Sequence, residues 1–438
     1  MSPNRTRRAV LAALGGISVA GCVSDDARDG TDPADSTDES KLSGATPATG
    51  SPTESPGATA APLGSPTSTD RTPPTPDEVS TDWAIPGVDQ GRTNYLAGAS
   101  GPTAPVGELW SLDVGVPLSA PVVADGTVYV GGNDGVVRAI DARTGAQTWQ
   151  RSVGASSGER PARPRVRDGR VYVEGTDELV ALNAVDGSVS WRTSTGRVHA
   201  LLVADHGVYC TERADDSFVR RTGADGSERW RVTVDGGGPS SPVLASDEYV
   251  FFRHPRTSGP WSLSVSDGQR DFEDAEYTPT PLPYHSPSPQ AYRDGTLYNA
   301  ETFSGTIEAM TPPAPPFDAI WNRRWQPTDG GFLLAVDDEA VYLATGTDSG
   351  PVLRSLSRSD GTERWRHSIG APQSPPVVTE ETLLVDTAEE LRCLDPSDGT
   401  PLWRSQAAGV GEGRLVVVDD MIITTADRTL RAFRSVPE

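Results

Sequence analysis

Lysine is almost absent from this sequence, which has one, Lys41, among 438 residues, while cysteine and methionine occur three times each. No two cysteines are adjacent and no Cys-x-x-Cys-His motif is present, so a covalently attached haem is excluded. Acidic residues outnumber basic ones, and the formal net charge is −23. Because no basic domain is available to neutralise phosphates, the composition argues against a nucleic-acid partner.

This acidic, lysine-poor composition is typical of a surface that stays hydrated in concentrated salt. It favours a salt-adapted prokaryote as the source. A merely acidic secreted protein is the alternative, and composition alone does not separate the two.

The N-terminus has the features of an export signal. Arg7 and Arg8 precede an apolar run over residues 9–20 that is too short to span a bilayer. The arginine pair resembles a twin-arginine signal, and the tetrapeptide VAGC ending at Cys22 resembles a lipobox, in which this cysteine carries the lipid. An ordinary signal peptide with an incidental cysteine is the alternative. We predict a twin-arginine lipoprotein signal over residues 1–22.

The composition changes twice after the signal. Residues 23–80 are almost wholly Ser, Thr, Pro, Asp, Ala and Gly, which cannot bury enough apolar surface to fold. We predict a disordered stalk there, suited to O-glycosylation. Residues 81–106 are an N-terminal extension and residues 107–438 the folded domain. No other long apolar stretch exists, so the lipid is the only membrane anchor that the sequence predicts.

A hairpin pattern recurs through the folded domain. An Asp-Gly pair or a close variant precedes an alternating strand, as in DGTVYV at Asp125 and DGRVYV at Asp168. Asp-Gly between β-branched runs predicts a tight hairpin, because both residues tolerate positive φ. Further copies begin at Asp205, Asp247, Asp294, Asp338, Glu380 and Asp419.

A second motif, A-x-D-x-x-x-G-x-x-x-W, recurs with the first. It is complete from Ala139 to Trp149 and returns at intervals of about forty residues. Four short strands in each such unit predict the blades of a β-propeller, whereas a helical solenoid is excluded by the alternating pattern.

The two ends of the folded domain complement each other. The last unit stops at Ala432 without a tryptophan strand, and Trp110 lies in an orphan strand before the first full unit. We predict that this N-terminal strand completes the last blade and removes its open edge. The predicted fold is an all-β, eight-bladed β-propeller.

The repeats resemble the PQQ-like (pyrroloquinoline-quinone) propeller repeat from Glu108 to the end of the chain. In that family the tryptophan docks on the glycine-bearing turn of a neighbouring blade. The resemblance implies that the motif tryptophans are structural, and a binding role for this set of aromatic rings is the alternative. They are Trp110, Trp149, Trp191, Trp230, Trp365 and Trp403.

The resemblance also implies a possible activity, because quinone-dependent alcohol and sugar dehydrogenases share the fold. Those enzymes hold the quinone over a calcium ion, with a catalytic aspartate and commonly a disulfide between adjacent cysteines. Here Cys210 and Cys393 fall in different predicted blades, the third and the seventh, so we predict two buried thiols that do not pair. The five histidines show no metal-ligand spacing. We predict no catalytic residue, no metal and no cofactor.

Two proline-rich insertions, residues 273–289 and 311–327, interrupt the regular period. Loops on a rigid scaffold are a usual place for recognition, and aromatic and arginine side chains are frequent in interfaces. Neutral variation in loop length is the alternative. The candidate interaction residues are Tyr277, Tyr284, Phe317, Trp321, Arg323, Arg324 and Trp325.

Two functions remain. The favoured one is a non-catalytic, monomeric propeller scaffold, lipid-anchored on the extracellular face of the cell membrane, that binds envelope proteins or glycans. The alternative is a quinone-dependent sugar or alcohol dehydrogenase.

Overall fold

The computed structural model describes most of the chain from residue 75 onward. Every described residue belongs to one compact unit, residues 64–438. The predicted lipoprotein signal and nearly all of the predicted stalk therefore lie outside the described residues. The described ranges are 75–76, 78–154, 161–212, 217–221, 225–233, 241–253, 260–269, 290–301, 306–311, 318–324, 332–346, 350–406 and 415–436.

The described residues form an all-β propeller without any helix. The strands, in chain order, begin with β1 (Tyr95–Leu96) and β2 (Val106–Asp113). Sheet 1 contains β3 (Val122–Ala124), β4 (Thr127–Gly131), β5 (Val136–Asp141) and β6 (Gln147–Ser152). Sheet 2 contains β7 (Arg165–Arg167), β8 (Arg170–Glu174), β9 (Glu178–Asn183) and β10 (Val189–Ser194). Sheet 3 contains β11 (Val198–Ala204), β12 (Gly207–Glu212), β13 (Ser217–Arg221) and β14 (Glu228–Thr233). Sheet 4 contains three described strands, β15 (Ser241–Ala245), β16 (Tyr249–Arg253) and β17 (Pro260–Ser264).

The remaining sheets follow the same order. Sheet 5 contains β18 (Gln290–Arg293), β19 (Thr296–Glu301), β20 (Thr306–Thr311) and β21 (Asp318–Arg324). Sheet 6 contains β22 (Phe332–Val336), β23 (Ala340–Thr345), β24 (Val352–Ser357) and β25 (Glu363–Ser368). Sheet 7 contains β26 (Val377–Thr379), β27 (Leu383–Asp386), β28 (Leu391–Leu394) and β29 (Pro401–Ser405). Sheet 8 contains β30 (Val416–Val418), β31 (Met421–Ala426) and β32 (Thr429–Ser435).

Tight turns connect the first two strands of a sheet, as the repeated Asp-Gly pairs predict. Asp125 and Gly126 have φ angles of 49° and 67°, and β3 pairs antiparallel with β4 on either side of them. Asp168 and Gly169 adopt the same left-handed geometry between β7 and β8. The predicted hairpins at these two turns are confirmed.

Seven sheets are blades made from consecutive strands, one fewer than the eight blades that the repeat count predicts. The remaining sheet is composite, because β2 pairs antiparallel with β32 in the strand order β2-β32-β31-β30. In this register Trp110 lies opposite Ala432. The short strand β1 adds a fifth, parallel strand to the edge of sheet 7 at β26.

The core lies in the seams between neighbouring sheets. On β4 of sheet 1, Val128 and Val130 belong to the apolar cluster shared with sheet 8, whereas Tyr129 belongs to the cluster shared with sheet 2. The side chains alternate in this way because successive residues of a strand point to opposite faces. One apolar cluster joins sheets 7, 8 and 1, with Leu384, Ile422 and Val128 among its buried members. Burial of these side chains supplies the main driving force for packing sheet on sheet.

Two sequence-based expectations can be judged here. Cys210 lies in sheet 3 and Cys393 in sheet 7, both buried and without a disulfide between them, which confirms the predicted thiols. Residues 311–327 are only partly an inserted loop, since β21 occupies Asp318–Arg324. No described segment is a helix long and apolar enough to cross a membrane.

Candidate functional site

The second motif forms the turn between the third and fourth strands of a sheet. In sheet 1 the Asp141 carboxylate accepts hydrogen bonds from the backbone N–H groups of Arg143 and Thr144 at 3.0 and 2.9 Å. Gly145 closes the turn with φ of 72°, a region in which a Cβ atom would be strained. The aspartate and the glycine of the motif are therefore explained by turn geometry.

The motif tryptophan contacts the equivalent turn of the next sheet. The Trp149 indole N–H donates to the Ala184 carbonyl oxygen at 2.9 Å, and a Cβ atom on Gly187 would lie 2.6 Å from the indole ring. Glycine is thus required both by its φ of 67° and by the ring packed against it. The same contact joins Trp110 to Gly145, Trp191 to Gly226, Trp230 to Gly268, Trp321 to Gly361 and Trp365 to Gly399.

A tyrosine that the sequence analysis did not single out shares this contact. Tyr129, from the DGTVYV hairpin, donates its hydroxyl to the same Ala184 oxygen at 3.1 Å, and its ring centroid lies 5.8 Å from that of Trp149. Tyr342 and Trp365 repeat the arrangement on the Pro396 oxygen at 3.2 and 3.1 Å. Tyrosine recurs at the fifth position of the hairpin pattern, as in DGTVYV and DEAVYL, and this recurrence could have predicted the contact from the sequence.

Trp321 and Arg323 were predicted to be loop residues for interaction, and this is corrected by the structure. Trp321 is 6% exposed in β21 and donates its indole N–H to the Arg358 oxygen at 2.7 Å. The Arg323 guanidinium donates to the Gly361 oxygen at 2.9 Å, as Arg151 does to the Gly187 oxygen in sheet 1. Both are therefore seam residues. Arg324 ends the same strand, and Tyr277, Tyr284, Phe317 and Trp325 lie outside the described residues.

The N-terminal extension crosses the first strands of the sheets, and residues 80–96 of it are called the strap below. First strands contact one another from one sheet to the next, from β3 through β7, β11, β15, β18 and β22 to β26. No other strand of its own blade pairs with the inner edge of any of them, and β26 alone pairs there with a named strand, β1 of the extension. Unpaired strand edges expose backbone N–H and C=O groups that need partners.

Carbonyl oxygens of the strap accept hydrogen bonds from one matched position in six sheets. The Trp83 oxygen accepts from the Val123 N–H at 2.9 Å, and the Ala84 oxygen accepts from the Val166 N–H at 2.8 Å. Each donor lies opposite the third residue after the hairpin aspartate. The other pairs are Ala245 with Gln90, Tyr292 with Gly91, Val336 with Thr93 and Val378 with Asn94, at 2.8–2.9 Å.

The two remaining sheets bind the strap at their hairpin turns. In sheet 3 the Asp205 N–H donates to the Gln90 side-chain oxygen at 3.1 Å, and in sheet 8 the Asp419 carboxylate accepts from the Ser80 N–H at 2.7 Å. The strap thus contacts sheets 8, 1 and 2, then 3 and 4, then 5, 6 and 7 in order. The strap covers the inner edges of the first strands, on the face of the sheets that carries the hairpin turns.

Burial and charge distinguish the strap from a surface segment. Trp83 and Ile85 are 4% and 3% exposed. Burial raises the pKa of Asp82, whose carboxylate accepts the Asp125 N–H, and the nearby charges of Asp125 and Asp419 raise it further. Val88, with φ of 76°, is a β-branched residue in the left-handed region, a strain that only a firmly held segment sustains.

Few described side chains are arranged for chemistry. No group of three or more His, Cys, Asp or Glu residues in the described ranges could hold a metal ion. A shallow pocket of about 410 Å³ beside sheet 7 is lined by Glu380, Glu381 and Asp395, but Glu380 accepts the Gly98 N–H and Asp395 accepts the Ser397 N–H within the fold. The described site is thus an arrangement of structural contacts: docked tryptophans and a strap across the inner edges.

Comparison with known proteins places this architecture among relatives of several kinds. The serine/threonine-protein kinase AfsK of Streptomyces griseus is 31% identical over 139 residues, which are 29% of this chain and 17% of the kinase. The quinohemoprotein alcohol dehydrogenase of Comamonas testosteroni is 35% identical over 212 residues, 41% of this chain and 29% of the enzyme. The chain therefore spans less than a third of either protein. The crystal structure of that dehydrogenase superposes with a TM-score of 0.62 at 14% identity over 82% of each chain, which shows a shared fold.

A fuller match comes from assembly factors. The outer membrane protein assembly factor BamB of Yersinia pestis is 31% identical over 290 residues, covering 57% of this chain and 70% of that protein. The family model described as outer membrane protein assembly factor BamB, a PQQ-like repeat model, matches residues 102–158, 133–270, 318–409 and 348–435. These ranges together exceed half of the chain. The chain belongs to this family of PQQ-like repeat propellers.

Proposed function

We propose that this chain is a non-catalytic propeller scaffold that binds proteins of the cell envelope. The observation that carries the proposal is the strap, which occupies the inner edges of the sheets with backbone contacts where a ligand would otherwise have access. Family membership supports a protein partner rather than a glycan, because the matched family is described as an assembly factor.

The proposal includes an eight-bladed ring. Sheet 8 would be the eighth blade, completed by β2 from the other end of the domain. Its support is the β2–β32 pairing and the apolar cluster that spans sheets 7, 8 and 1. A closed ring of this kind removes sheet edges that would otherwise pair with other chains.

The proposal also places the protein on the outer side of a membrane through a lipid on Cys22. The support is the VAGC tetrapeptide after a short apolar run, together with Arg7 and Arg8 before it. Cys22→Ser should release the mature protein from membranes into the medium, measured by fractionation and intact mass. Replacement of both arginines by lysine should block export if the twin-arginine route is used. A mature N-terminus elsewhere, without a lipid mass, contradicts the anchor.

The scaffold role is tested by affinity purification of the tagged full chain from salt-washed membranes, followed by mass spectrometry. The untagged full chain, carried through the same purification, is the control, because it reports proteins that bind the resin without the propeller. We expect the same envelope proteins at constant stoichiometry from replicate full-length samples. Recovery of the chain alone, under conditions in which it remains folded, contradicts the proposal.

A second function is favoured by the similarity to quinohemoprotein alcohol dehydrogenase. The described residues do not fit a quinone held over calcium, because no carboxylate cluster is arranged for the ion and Cys210 and Cys393 lie in different sheets. A dye-linked oxidation assay with added quinone and calcium discriminates the two functions. Reproducible turnover of an alcohol or sugar would replace the scaffold with an enzyme.

A further inference from the structure

Asp386 is a buried carboxylate without a hydrogen-bond partner among the described residues. It ends β27, its side chain is 0% exposed, and neither carboxylate oxygen is hydrogen-bonded. A buried polar group without a partner is costly, and an ionised one much more so. Such a group in a native structure needs a physical explanation.

The alternation of β27 places Asp386 in the seam between sheets 7 and 8. Leu383 and Val385 belong to the cluster shared with sheet 6, whereas Leu384 belongs to the cluster shared with sheet 8. Asp386 lies two residues after Leu384 and therefore on the same face. The seam also contains Thr424, whose buried hydroxyl has no hydrogen-bond partner among the described residues.

Equivalent positions in other sheets show how unusual this carboxylate is. Sheet 1 has Gly131 there, and in sheet 8 the Thr425 hydroxyl donates to the Ser119 oxygen at 3.2 Å. Sheet 2 has Glu174, whose carboxylate is paired with the Arg163 guanidinium at 3.2 Å. Among these four, Asp386 is the carboxylate that is buried without an ion pair to any residue that the structure describes.

Among the described residues, the charged groups of the neighbouring strands lie on or next to β28, β29 and β32. β26, β30 and β31 contribute none. On β28, Arg392 faces sheet 6, where it donates to the Ser368 oxygen, and it pairs with Glu390, which also lies 3.9 Å from Arg404 of β29. On β32, Arg431 matches Arg138 of sheet 1 in register and faces sheet 7. Burial raises the pKa of Asp386 to about 7, and burial is the whole of the cause.

We propose that Asp386 is a proton-operated switch in the seam between sheets 7 and 8, which is closed while the carboxyl is protonated and opens locally when the proton is lost. The folded state binds the proton more tightly than the unfolded state, so stability falls as the pH rises from about 4 to about 7. The inference does not depend on the proposed scaffold role.

Two cysteines in different seams provide a local test. Cys393 belongs to the cluster that joins sheets 7, 8 and 1, whereas Cys210 belongs to the cluster between sheets 2 and 3. The full chain is labelled with a thiol reagent between pH 5.5 and 8.5, and each cysteine is quantified by peptide mass spectrometry. Because both thiols are buried, each reacts after its own seam opens, so the ratio of the two labelling rates cancels the intrinsic pH dependence of exposed thiols. We expect this ratio, Cys393 over Cys210, to rise about tenfold from pH 5.5 towards pH 7 and to level off at higher pH, where the carboxyl is ionised in both the closed and the open state.

Asp386→Asn should keep the ratio constant and low, because the amide is neutral at every pH and similar in shape to the protonated acid. Asp386→Thr is the second variant and introduces the residue that sheet 8 has at this position. It should also keep the labelling ratio constant and low. Asp398→Asn, an exposed carboxylate of the same sheet, is the matched control and should keep the rise. A flat ratio in the wild type overturns the switch, and so does a rise in both Asp386 variants that equals the wild-type rise. Suppression of the wild-type rise by added calcium would mean that the carboxylate binds a cation, and this also overturns the switch.

Discussion

Trp403 donates its indole N–H to the carbonyl oxygen of Pro102 at 2.7 Å, although 301 residues separate the two in sequence. In the preceding blade Trp365 donates instead to Pro396, in the turn before the fourth strand of the next sheet. Sheet 8 has no such turn, because β32 and β2 come from opposite ends of the domain. Pro102 supplies the missing acceptor from the segment that leads into β2.

Replacing Trp403 by phenylalanine should loosen this connection. The variant loses an indole hydrogen bond worth about 1 kcal/mol and part of a large buried ring, so the free energy of unfolding should fall by roughly 2 kcal/mol. Proteolysis near Pro102 should also accelerate. Trp365→Phe is the matched control, since its acceptor lies within a continuous blade. Equal protection of the N-terminal segment in both variants would count against a closing role for Trp403.

Truncation should separate the strap from the strand that follows it. Removing residues 1–74 deletes none of the described contacts and should leave the melting temperature nearly unchanged. Removing residues 1–98 also deletes four buried apolar side chains of the strap, each worth roughly 1.5–3 kcal/mol, and should destabilise the domain severely. Removing residues 1–114 takes β2 as well and should prevent a stable monomer. Calorimetry of the three chains measures this order, and a strap-less chain as stable as the first would contradict it. The deleted side chains are Trp83, Ile85, Tyr95 and Leu96.

Local sequence predicted the blades well because their turns are local. The turn at Asp125 and Gly126 requires positive φ at two adjacent residues, which few other pairs tolerate. The sequence therefore predicted this hairpin correctly. The motif from Ala139 to Trp149 likewise spans one turn and its flanking strands. The pairing of β2 with β32 followed from the tryptophan missing in the last unit.

The strap could not be predicted in the same way, because its contacts are made by backbone carbonyls. An N–H of Val166 bonds the Ala84 oxygen whatever side chains these residues carry, so no pattern marks the contact. The prediction that Trp321 lies in an interaction loop was wrong for a different reason. Trp325 lies four residues later in a proline-rich stretch, and spacing alone gave no means of choosing between two tryptophans. Burial settles the matter, since Trp321 is 6% exposed.

Salt dependence tests the interpretation of the acidic composition. With a net charge of −23 the folded chain is destabilised by self-repulsion, which counterions reduce. We expect the melting temperature to rise from low to molar KCl. A melting temperature that is already maximal in dilute buffer would favour the alternative, an acidic protein without salt adaptation.

A pair of glycine substitutions should isolate the contribution of tryptophan docking. Gly187 and Gly169 have φ of 67° and 66°, but only Gly187 is covered by a ring, since a Cβ atom on Gly169 would meet nothing within 4 Å. Gly169→Ala should cost about 1 kcal/mol from backbone strain alone. Gly187→Ala carries the same strain and must also displace Trp149, so it should cost roughly 1–3 kcal/mol more. Denaturant unfolding gives both values, and equal costs would mean that the indole moves aside freely.

The shared acceptor of Tyr129 and Trp149 makes a stronger prediction about coupling. Both side chains donate to the Ala184 oxygen, which has two lone pairs, so Tyr129→Phe or Trp149→Phe alone leaves one bond in place. Each single change should lose about 1 kcal/mol of hydrogen bonding, apart from the smaller ring in the second.

The double variant leaves the buried carbonyl of Ala184 without either donor. An unsatisfied buried acceptor costs a further 1–3 kcal/mol or so, which neither single variant incurs. The double-mutant cycle should therefore show a destabilisation larger than the sum of the two singles. Pairing Tyr129→Phe with Trp365→Phe, which acts on the separate Pro396 acceptor, is the control and should be additive. Additivity in both cycles would show that water replaces the lost donors, and that the seam between sheets 1 and 2 is less tightly closed than the two hydrogen bonds imply.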